Sequence, residues 1–391
     1  MVYCHSYICS IICFSASSRS NNVCDVALPT FCSLRGGPCS IFCDDRGVEN
    51  LDNSIERLSK LCIATGLDAG LDSVGITSAE PFSEALSTLK ERKKSGYAAD
   101  MQFTYRNPER STTPTKVLPD AKSLIVGALH TPSPRLPDSQ EGDSRISAYA
   151  RKDYYSDLRI SLQSIAKILE NEGWKTRVVA DDNALVDRAA ALRAGIGWMG
   201  KNSNVLIPKK GSWFVLGSVV TNAPLKENEE PVKEECGQCS RCIDLCPTSA
   251  IVEPGVVDAR RCIAWLVQAP GSIPEEFRSS IGNRIYGCDD CQEVCPIGRQ
   301  DRIEGNISDS LADISALQIL KFTDEELLKR YSHWYIAERN PKYLRRNALV
   351  VLGNSKIRNS EVDQEIEKYL HDSDEILREH AEWAYMQRGI S

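Results

Sequence analysis

Residues 236–247 read CGQCSRCIDLCP and hold four cysteines in the spacing C-x2-C-x2-C-x3-C, with a proline directly after the fourth. Three thiolates at this spacing can wrap one four-iron, four-sulfur (4Fe-4S) cluster, while the fourth cysteine ligates a second cluster. The proline keeps the chain extended after the last cysteine, because it removes a backbone donor and disfavours helix. The stretch therefore predicts a segment folded around two iron–sulfur clusters.

A second run, CDDCQEVCP at residues 288–296, has three cysteines where a full motif has four. Cys262 lies upstream and can supply the missing thiolate. By the crossover rule, one cluster is held by Cys236, Cys239, Cys242 and Cys295, and the other by Cys246, Cys262, Cys288 and Cys291. A pair of zinc sites is the alternative, but zinc sites usually join C-x2-C units across a longer spacer. Disulfides are typical of short secreted chains.

The composition is that of an ordinary folded chain, apart from its 16 cysteines. The 391 residues carry a net charge of −7, and 42% of them are hydrophobic. This balance does not indicate general nucleic-acid binding, although a local basic patch can still bind RNA. No apolar run reaches the roughly 18 residues of a membrane span. We therefore expect a cytoplasmic protein that does not bind membranes.

The first 47 residues show no clear helical or strand period, and seven of the cysteines precede residue 44. Residues 1–16 are apolar enough to resemble a signal sequence, but they lack a basic segment and a twin arginine. We expect residues 1–47 to be a disordered or non-native extension. Helical periodicity begins just after Val48.

The rest of the chain predicts an α+β multidomain fold. Helices and strands alternate over residues 48–228, which predicts an α/β domain. Within it, residues 204–208 and 212–221 are predicted to form a β-hairpin. Residues 229–305 form the ferredoxin-like cluster segment. Residues 306–391 predict a small helical array of HEAT type, whose clearest helices span 341–352 and 373–386.

Several stretches outside the cysteine runs carry a resemblance to a known family. They are RNPERS (106–111), LPDAKS (118–123), RISAYARKDYY (145–155), DDNALVDRAAALRAGIGWMGKNSN (181–204), SWFVLG (212–217), NRIYGCDDCQEVCP (283–296) and NPKYLRRNALVVLGN (340–354). Together they resemble epoxyqueuosine reductase, the last enzyme of queuosine synthesis in tRNA. The resemblance runs in order from about residue 48 to the end of the chain.

The resemblance implies a cobalamin cofactor in the α/β domain. The cofactor would be base-off, without a protein histidine on cobalt, and no D-x-H-x-x-G motif occurs. The clusters would reduce it to cob(I)alamin, which acts on the epoxide of epoxyqueuosine at the wobble position of tRNA. Two electrons and two protons then give the alkene of queuosine and water. Contacts with the cofactor are implied at Arg106, Ser147, Asp153, Asp181, Lys201, Asn202, Ser203, Val205 and Ser212.

An aspartate serves the family as proton donor, and the matching residue here is Asp181, directly after the predicted strand KTRVVA (175–180). Burial beside a corrin ring would raise the pKa of this carboxyl and keep it protonated near neutral pH. The alternative is that Asp181 only caps the next helix. With the resemblance we expect catalysis for Asp181, and capping or solvent exposure for Asp182 and Asp187.

A glycine-rich turn and one departure from the family lie close to these residues. Gly195, Gly197 and Gly200 precede Lys201, so that backbone could approach the cofactor closely there. A plain helix stop is the alternative, above all for Gly195. The family usually has a glycine before the aspartate and a histidine after the tyrosine of the stretch at 151–155, which reads RKDYY here.

Residues 306–391, which we call the tail, carry a predicted tRNA-docking surface. Basic residues cluster at Lys329, Arg330, His333, Arg339, Lys342, Arg345 and Arg346, with the aromatic residues Trp334, Tyr335 and Tyr343 between them. Aromatic side chains can stack on unpaired anticodon-loop bases. We predict tRNA contacts at Lys342, Arg345 and Arg346. The alternative is a solvated helix face with its aromatic residues in the core.

Two other functions use the same cysteines. A reductive dehalogenase would couple cobalamin and clusters to carbon–halogen cleavage, but such enzymes usually carry a twin-arginine signal and have no helical RNA-docking tail. An electron-transfer module would have no need of a large α/β domain. The expected partners are tRNA carrying epoxyqueuosine and an electron donor such as a flavodoxin or ferredoxin, and we expect a monomer.

Overall fold

The structure, a computed structural model, describes residues 45–131, 143–228, 232–298, 313–356 and 358–390. From Val48 onward the chain forms one compact unit. The predicted extension over residues 1–47 lies almost entirely outside the described residues. No helix in the described part of the chain is long and apolar enough to cross a membrane.

Strands and helices alternate along the chain in short elements. The strands are β1 (Ser73–Ser78), β2 (Ser123–His130), β3 (Asp143–Ile146), β4 (Thr176–Ala180), β5 (Trp198–Met199), β6 (Val205–Leu206), β7 (Phe214–Thr221), β8 (Ile251–Glu253), β9 (Val256–Val257), β10 (Arg284–Tyr286) and β11 (Asp313–Ser315). The helices are α1 (Asp45–Asp68), α2 (Ser83–Lys94), α3 (Phe103–Arg106), α4 (Pro108–Ser111), α5 (Tyr154–Asn171), α6 (Asp187–Arg193), α7 (Arg241–Asp244), α8 (Ile263–Leu266), α9 (Glu275–Ile281), α10 (Asp290–Glu293), α11 (Ala316–Lys321), α12 (Asp324–Arg330), α13 (Lys342–Asn354), α14 (Ser360–Tyr369) and α15 (Glu375–Arg388).

Residues 48–228 are called the first region below. A four-stranded sheet in the order β1-β2-β7-β4 forms the centre of this region. Every neighbouring pair in it is antiparallel. The alternation of helices and strands indicated an α/β domain; the strands of this sheet nevertheless run antiparallel, which makes the domain itself α+β. Ile125 of β2 lies opposite Ile76 of β1 and opposite Val219 of β7, so the apolar centres of the three strands are in register.

Both faces of this sheet are covered, which explains why β2 is apolar along most of its length. Ile125 belongs to a core that includes Leu158 and Leu162 of α5 and Cys62 of α1. Leu124 points the other way, into a core with Ala190 of α6. Successive residues of a strand face opposite sides, so a strand buried on both faces needs a continuous apolar run.

The predicted β-hairpin at 204–221 is wrong. Val205 of β6 pairs with Met199 of β5, and Ile207 makes a single bridge to Gly211. The second predicted strand, β7, pairs with β2 and β4 instead. An eight-residue strand gains more by pairing on both edges in the central sheet than by pairing with a short neighbour.

A second sheet, in the order β10-β3-β11, joins three regions that are distant in sequence. Strand β3 comes from the first region, β10 from the cluster segment and β11 from the start of the tail. Arg145 of β3 pairs with Arg284 in parallel and with Asp313 in antiparallel fashion. The predicted boundaries near 228 and 305 therefore divide the sequence but not the hydrogen-bonded structure.

The tail is a helical array that packs on the cluster segment. Helix α13 contacts α11 and α15, and α15 also contacts α14. The predicted helices at 341–352 and 373–386 correspond to α13 and α15. Leu344 and Ala348 of α13 share one core with Ile263 and Ile285 of the cluster segment.

Candidate functional site

The eight cysteine thiols of residues 236–295 fall into two sets. Burial is the largest of the causes that raise the pKa of Cys242, and the neighbouring Cys295, Cys236 and Cys239 thiols raise it further. Burial likewise raises the pKa of Cys291, and the neighbouring Cys288 and Cys262 thiols raise it further. The Cys246 thiol in turn raises the pKa of Cys262. We call Cys236, Cys239, Cys242 and Cys295 the outer set and Cys246, Cys262, Cys288 and Cys291 the inner set. The outer thiol of Cys242 also raises the pKa of the inner thiol of Cys291, so the two sets are neighbours.

The outer set lines a small cavity together with Lys201, Arg241 and Pro296. Lys201 donates from Nζ to the backbone oxygens of Gly237, at 2.7 Å, and Cys239, at 3.0 Å. A lysine of the first region thus fixes the loop that carries two of the outer thiols.

The inner set is held more deeply. Burial is the main cause that raises the pKa of Cys262, Cys288 and Cys291. Cys288 packs against the core shared by the cluster segment and the tail. Thiolates in such surroundings need a nearby cation, and bound iron would supply it.

Asp181 lies directly after β4, at the end of the central sheet. Its φ angle is +53°, a left-handed conformation that is unusual for a residue other than glycine. Although part of the side chain is exposed, burial raises the pKa of the carboxyl, Arg159 lowers it, and Asp153 and Asp182 raise it. The preceding residue is fixed, because Arg159 donates to the Ala180 oxygen at 2.9 Å.

Asp182 is exposed, as predicted, and it accepts a hydrogen bond from the Ala184 amide at 2.9 Å in the turn before α6. Asp187 differs from the prediction of capping or exposure. Its Oδ1 atom is buried and has no hydrogen-bond partner among the described residues. Burial raises the pKa of this carboxyl well above its usual value, and Asp181 raises it further. No local sequence pattern indicates that this atom is buried, because an aspartate at a helix start is usually solvated.

Tyrosines connect the aspartates to the inner set. The pKa of Tyr155 is raised by burial and then by Asp181 and Asp187. The pKa of Tyr149 is raised by burial, by Asp289 and, more weakly, by Asp181. Asp289 follows Cys288 directly in the chain, so Tyr149 lies between the aspartate loop and the inner set. The departure from the family at 151–155 thus falls beside the aspartates.

Four of the predicted cofactor contacts hold the cluster segment in place. Lys201 binds the outer loop, as described above, and Asn202 donates to the Cys291 oxygen at 3.5 Å. The Ser212 hydroxyl donates to Gln292 at 3.0 Å, and the Ser147 hydroxyl donates to Asp289. These side chains form a seam between the first region and the cysteines.

The other predicted contacts are placed differently. Asp153 caps α5 by accepting from the Ser156 amide at 2.9 Å. Val205 is buried in the core on one face of the central sheet. Ser203 has a φ of +62° in the turn after Lys201. Arg106 is exposed at the end of α3. Of these four, Asp153 lies near enough to Asp181 to raise the pKa of its carboxyl.

The glycines of the predicted turn serve backbone packing. A Cβ atom at Gly197 would lie 2.2 Å from the Leu206 oxygen, and one at Gly200 would lie 2.7 Å from a Leu206 side-chain carbon. Gly195 ends α6 with a φ of +68°. Gly197 and Gly200 therefore pack against β6, and close approach to a cofactor is not needed to explain them.

The structure corrects one predicted tRNA contact. Arg346 is 0% exposed and donates to the backbone oxygens of Leu266, Ala269 and Gly271. It therefore cannot reach RNA, and it fixes the loop that follows Cys262. Lys342 pairs with Asp374 at 3.0 Å, and Arg345 pairs with Asp324 at 2.6 Å. Both of these residues keep some exposure, and their contact with RNA stays a prediction.

The aromatic residues of the predicted docking surface separate in the same way. Trp334 and Tyr343 are buried, and Trp334 stacks on Tyr286 with ring centroids 4.2 Å apart. Tyr335 is 56% exposed. Its backbone oxygen accepts from the Tyr286 hydroxyl at 3.1 Å. Only Tyr335 of the three could stack on a base without rearrangement.

Comparisons with known proteins agree over most of the chain. The family of the 4Fe-4S double cluster binding domain matches residues 235–298. The epoxyqueuosine reductase of Bacillus cereus is 35% identical over 345 residues, which are 85% of this chain and 90% of that protein. A crystal structure of epoxyqueuosine reductase with an epoxyqueuosine-modified tRNA-Tyr stem loop has a TM-score of 0.77 and 32% identity, over 85% of this chain and 90% of that one. A Bacillus subtilis structure with the same TM-score, identity and coverage has its catalytic aspartate loop swung out of the active site.

Proposed function

Because the chain belongs to the epoxyqueuosine reductase family, we propose that it reduces epoxyqueuosine to queuosine at the wobble position of tRNA. The family resemblance inferred from the sequence motifs is confirmed by relatives that match 85% of the chain. The observation that carries the proposal is the aspartate loop near the inner set of thiols, in a fold shared with a reductase that was solved with its modified tRNA stem loop.

We propose that the outer and inner sets each hold one 4Fe-4S cluster. The residues fit this assignment, because each set contains four thiols and the segment matches the double-cluster family. The clusters would supply single electrons. The outer set lies at a cavity rim, where a flavodoxin or ferredoxin could reach it, and the inner set lies next to the aspartates.

The first region fits a bound organic cofactor, and we propose that this is base-off cobalamin. Two buried polar atoms near α6, Asp187 Oδ1 and Trp198 Nε1, have no partner among the described residues. A ligand rimmed with amides would satisfy such groups. When bound, cobalamin would supply a strongly reducing, nucleophilic metal centre. Four residues remain proposed contacts with the cofactor, namely Arg106, Asp153, Ser203 and Val205. Four others would hold the cysteines beside it from the seam, namely Ser147, Lys201, Asn202 and Ser212.

We propose that Asp181 gives a proton to the epoxide oxygen. Negative charge develops on that oxygen as the ring opens, so a neutral acid beside it lowers the barrier. The raised pKa of Asp181 favours its protonated form. The loop that carries it is anchored at Ala180 and has a left-handed residue at its start, and a relative's catalytic aspartate loop can swing out of its active site.

We propose that the tRNA contacts the exposed part of the tail. Tyr335 offers an aromatic face, and Lys329 and Arg330 of α12 are exposed near it in sequence. Lys342 and Arg345 would add charge at the edge of this surface. The helices resemble a HEAT-type array, which presents such a surface along stacked helices. We expect the enzyme to act as a cytoplasmic monomer.

Anaerobic reconstitution with iron, sulfide and cobalamin tests this function directly. The reconstituted protein is given a chemical reductant and tRNA that contains epoxyqueuosine, and the nucleosides are analysed after digestion. We expect queuosine to replace epoxyqueuosine. An Asp181→Ala variant should keep the spectra of both cofactors and lose roughly 10²–10⁴-fold in rate. Full cofactor loading without any queuosine would overturn the proposed substrate.

A further inference from the structure

A basic surface lies on helices α2 to α4, outside the tail and outside the two thiol sets. Residues 90–110 hold six lysines and arginines against three acids, in a chain whose net charge is −7. One cation and one acid of this stretch neutralise each other, because Lys90 pairs with Glu109 at 2.8 Å. We call the exposed residues Lys93, Lys94 and Arg110 the basic strip. Its charge is opposite in sign to that of the whole chain.

Hydrogen bonds connect one end of the basic strip to the loop that carries Asp181. Arg110 donates from Nη1 to the Oδ1 atom of Asn183 at 3.3 Å. The hydroxyl of the next residue, Ser111, donates to the backbone oxygen of Asn183. Asn183 lies two positions after Asp181 in the chain. The strip therefore borders the site at which the epoxide is proposed to be reduced.

An exposed aromatic ring accompanies the strip. Phe103 of α3 is 44% exposed, although it is a large apolar residue. Lys93 donates from Nζ to the backbone oxygen of Tyr105 at 3.1 Å, which ties α2 to the helix that carries Phe103. Helix α3 contacts both α2 and α4. Cations and an aromatic ring on neighbouring helices are the features with which proteins bind unpaired nucleic acid, through backbone charge and base stacking.

The strand that flanks a wobble nucleotide bound beside Asp181 must leave the site over neighbouring surface, and each of its phosphates is negatively charged. We propose that the basic strip binds these phosphates and that Phe103 stacks on an unpaired base of the anticodon loop. This inference rests on the proposed function, and it adds an RNA contact on the first region to the one proposed on the tail. The bonds between the strip and the aspartate loop favour the RNA substrate over an acidic redox partner.

Binding of an anticodon stem-loop RNA to the reconstituted holoenzyme, measured by fluorescence anisotropy over a range of salt concentrations, tests the proposal. The double variant Lys93→Gln with Lys94→Gln should bind roughly tenfold more weakly, and its slope of log affinity against log salt should be smaller by about 1.5. Phe103→Ser should bind roughly fivefold more weakly or worse with an unchanged slope, because stacking releases no counterions.

The matched control is the double variant Lys60→Gln with Lys167→Gln, which changes the net charge by the same amount. Both lysines are exposed on α1 and α5, which pack on the face of the central sheet opposite to α2. The control should keep the wild-type affinity and slope. An equal loss in the control and in the strip variant would show a response to net charge alone and would overturn the proposal.

Two further results would also overturn it, namely an unchanged salt slope in the strip variant and an unchanged affinity in Phe103→Ser. If the strip variant binds RNA as the wild type does but accepts electrons from a flavodoxin more slowly, the strip belongs to a redox partner instead. The binding assay does not depend on turnover. A wild type that shows the expected binding and variant effects but reduces no epoxyqueuosine therefore overturns the proposed function and leaves the RNA contact in place.

Discussion

The outer and inner thiol sets carry the same number of cysteines, yet the protein holds them by different means. The outer set sits around a surface cavity, and one lysine side chain fixes its loop. Burial raises the pKa of three inner thiols, those of Cys262, Cys288 and Cys291. The tail fixes the loops around the inner set through Arg346 and Asn347, which bind backbone oxygens on both sides of the segment. This difference supports the proposal that the outer set exchanges electrons with the outside and that the inner set delivers them to the site.

The comparison also separates local from long-range determinants. The spacing of residues 236–246 alone brings three outer thiols together. The inner set takes one cysteine from that run, one from position 262 and two from the second run, so its geometry depends on how distant segments pack. Changes in the tail should therefore affect the inner set before the outer one.

Removal of an inner thiol gives the largest expected effect. Cys262→Ser should lose the inner cluster, about half of the iron, and all detectable reduction of epoxyqueuosine, because electrons no longer reach the site. Iron and sulfide analysis and electron paramagnetic resonance measure the loss. Cys62→Ser is the control, since Cys62 is buried in the core beside the central sheet and belongs to neither set. Equal iron content in Cys262→Ser and Cys62→Ser would contradict the assignment of Cys262 to the inner set.

Loss of the Arg346 side chain should have the second-largest effect. Arg346→Met leaves the oxygens of Leu266, Ala269 and Gly271 without their donor and should lower the free energy of unfolding by about 3 kcal/mol. The inner cluster should be lost preferentially, while the outer cluster signal remains. Thermal unfolding and spectroscopy on the same samples check both expectations. Arg345→Met, whose partners lie within the tail, should keep both clusters; equal loss of both in Arg346→Met would contradict the comparison.

Acid should weaken the same junction by a smaller amount. The buried imidazole of His380 accepts from the Ile273 amide at 3.2 Å, and burial lowers its pKa to about 4. An unfolded histidine has a pKa near 6.5, so the unfolded chain binds a proton first as the pH falls. Stability should be full above pH 6.5 and should fall by up to about 3 kcal/mol as the pH approaches 4.

Chemical unfolding across this pH range measures the effect, and His380→Gln should flatten it. His371→Gln, at an exposed position, should retain the wild-type dependence. An unchanged slope in His380→Gln would show that other groups cause the acid sensitivity.

The smallest effect is expected at the outer set. Lys201→Met removes two hydrogen bonds to the outer loop and should cost about 1–2 kcal/mol. Iron should leave the outer set several-fold faster in the presence of a chelator, while the inner set is retained. Lys209→Met, at an exposed position nearby in sequence, is the control. Preferential loss of the inner cluster in Lys201→Met would reverse the proposed roles of the two sets.

The sequence predicted what is encoded in short spacing. The two cysteine runs, the helices α13 and α15 and the position of Asp181 after a strand all follow from local patterns. The antiparallel order of the central sheet did not, because β2 and β7 lie about 90 residues apart and spacing does not choose between distant partners. Arg346 was mistaken for a surface cation because a basic residue in an aromatic-rich stretch gives no sign that backbone oxygens from residue 266 onward will surround it.

The three-stranded sheet limits how this protein can be divided. Strand β3 is bonded on one edge to β10 and on the other to β11. Excision of residues 229–305 for use as a portable electron carrier would strip β10 of its neighbour and leave bare amide and carbonyl groups on both new surfaces. Such edges invite self-association, so a transplanted cassette should precipitate unless residues 143–146 travel with it.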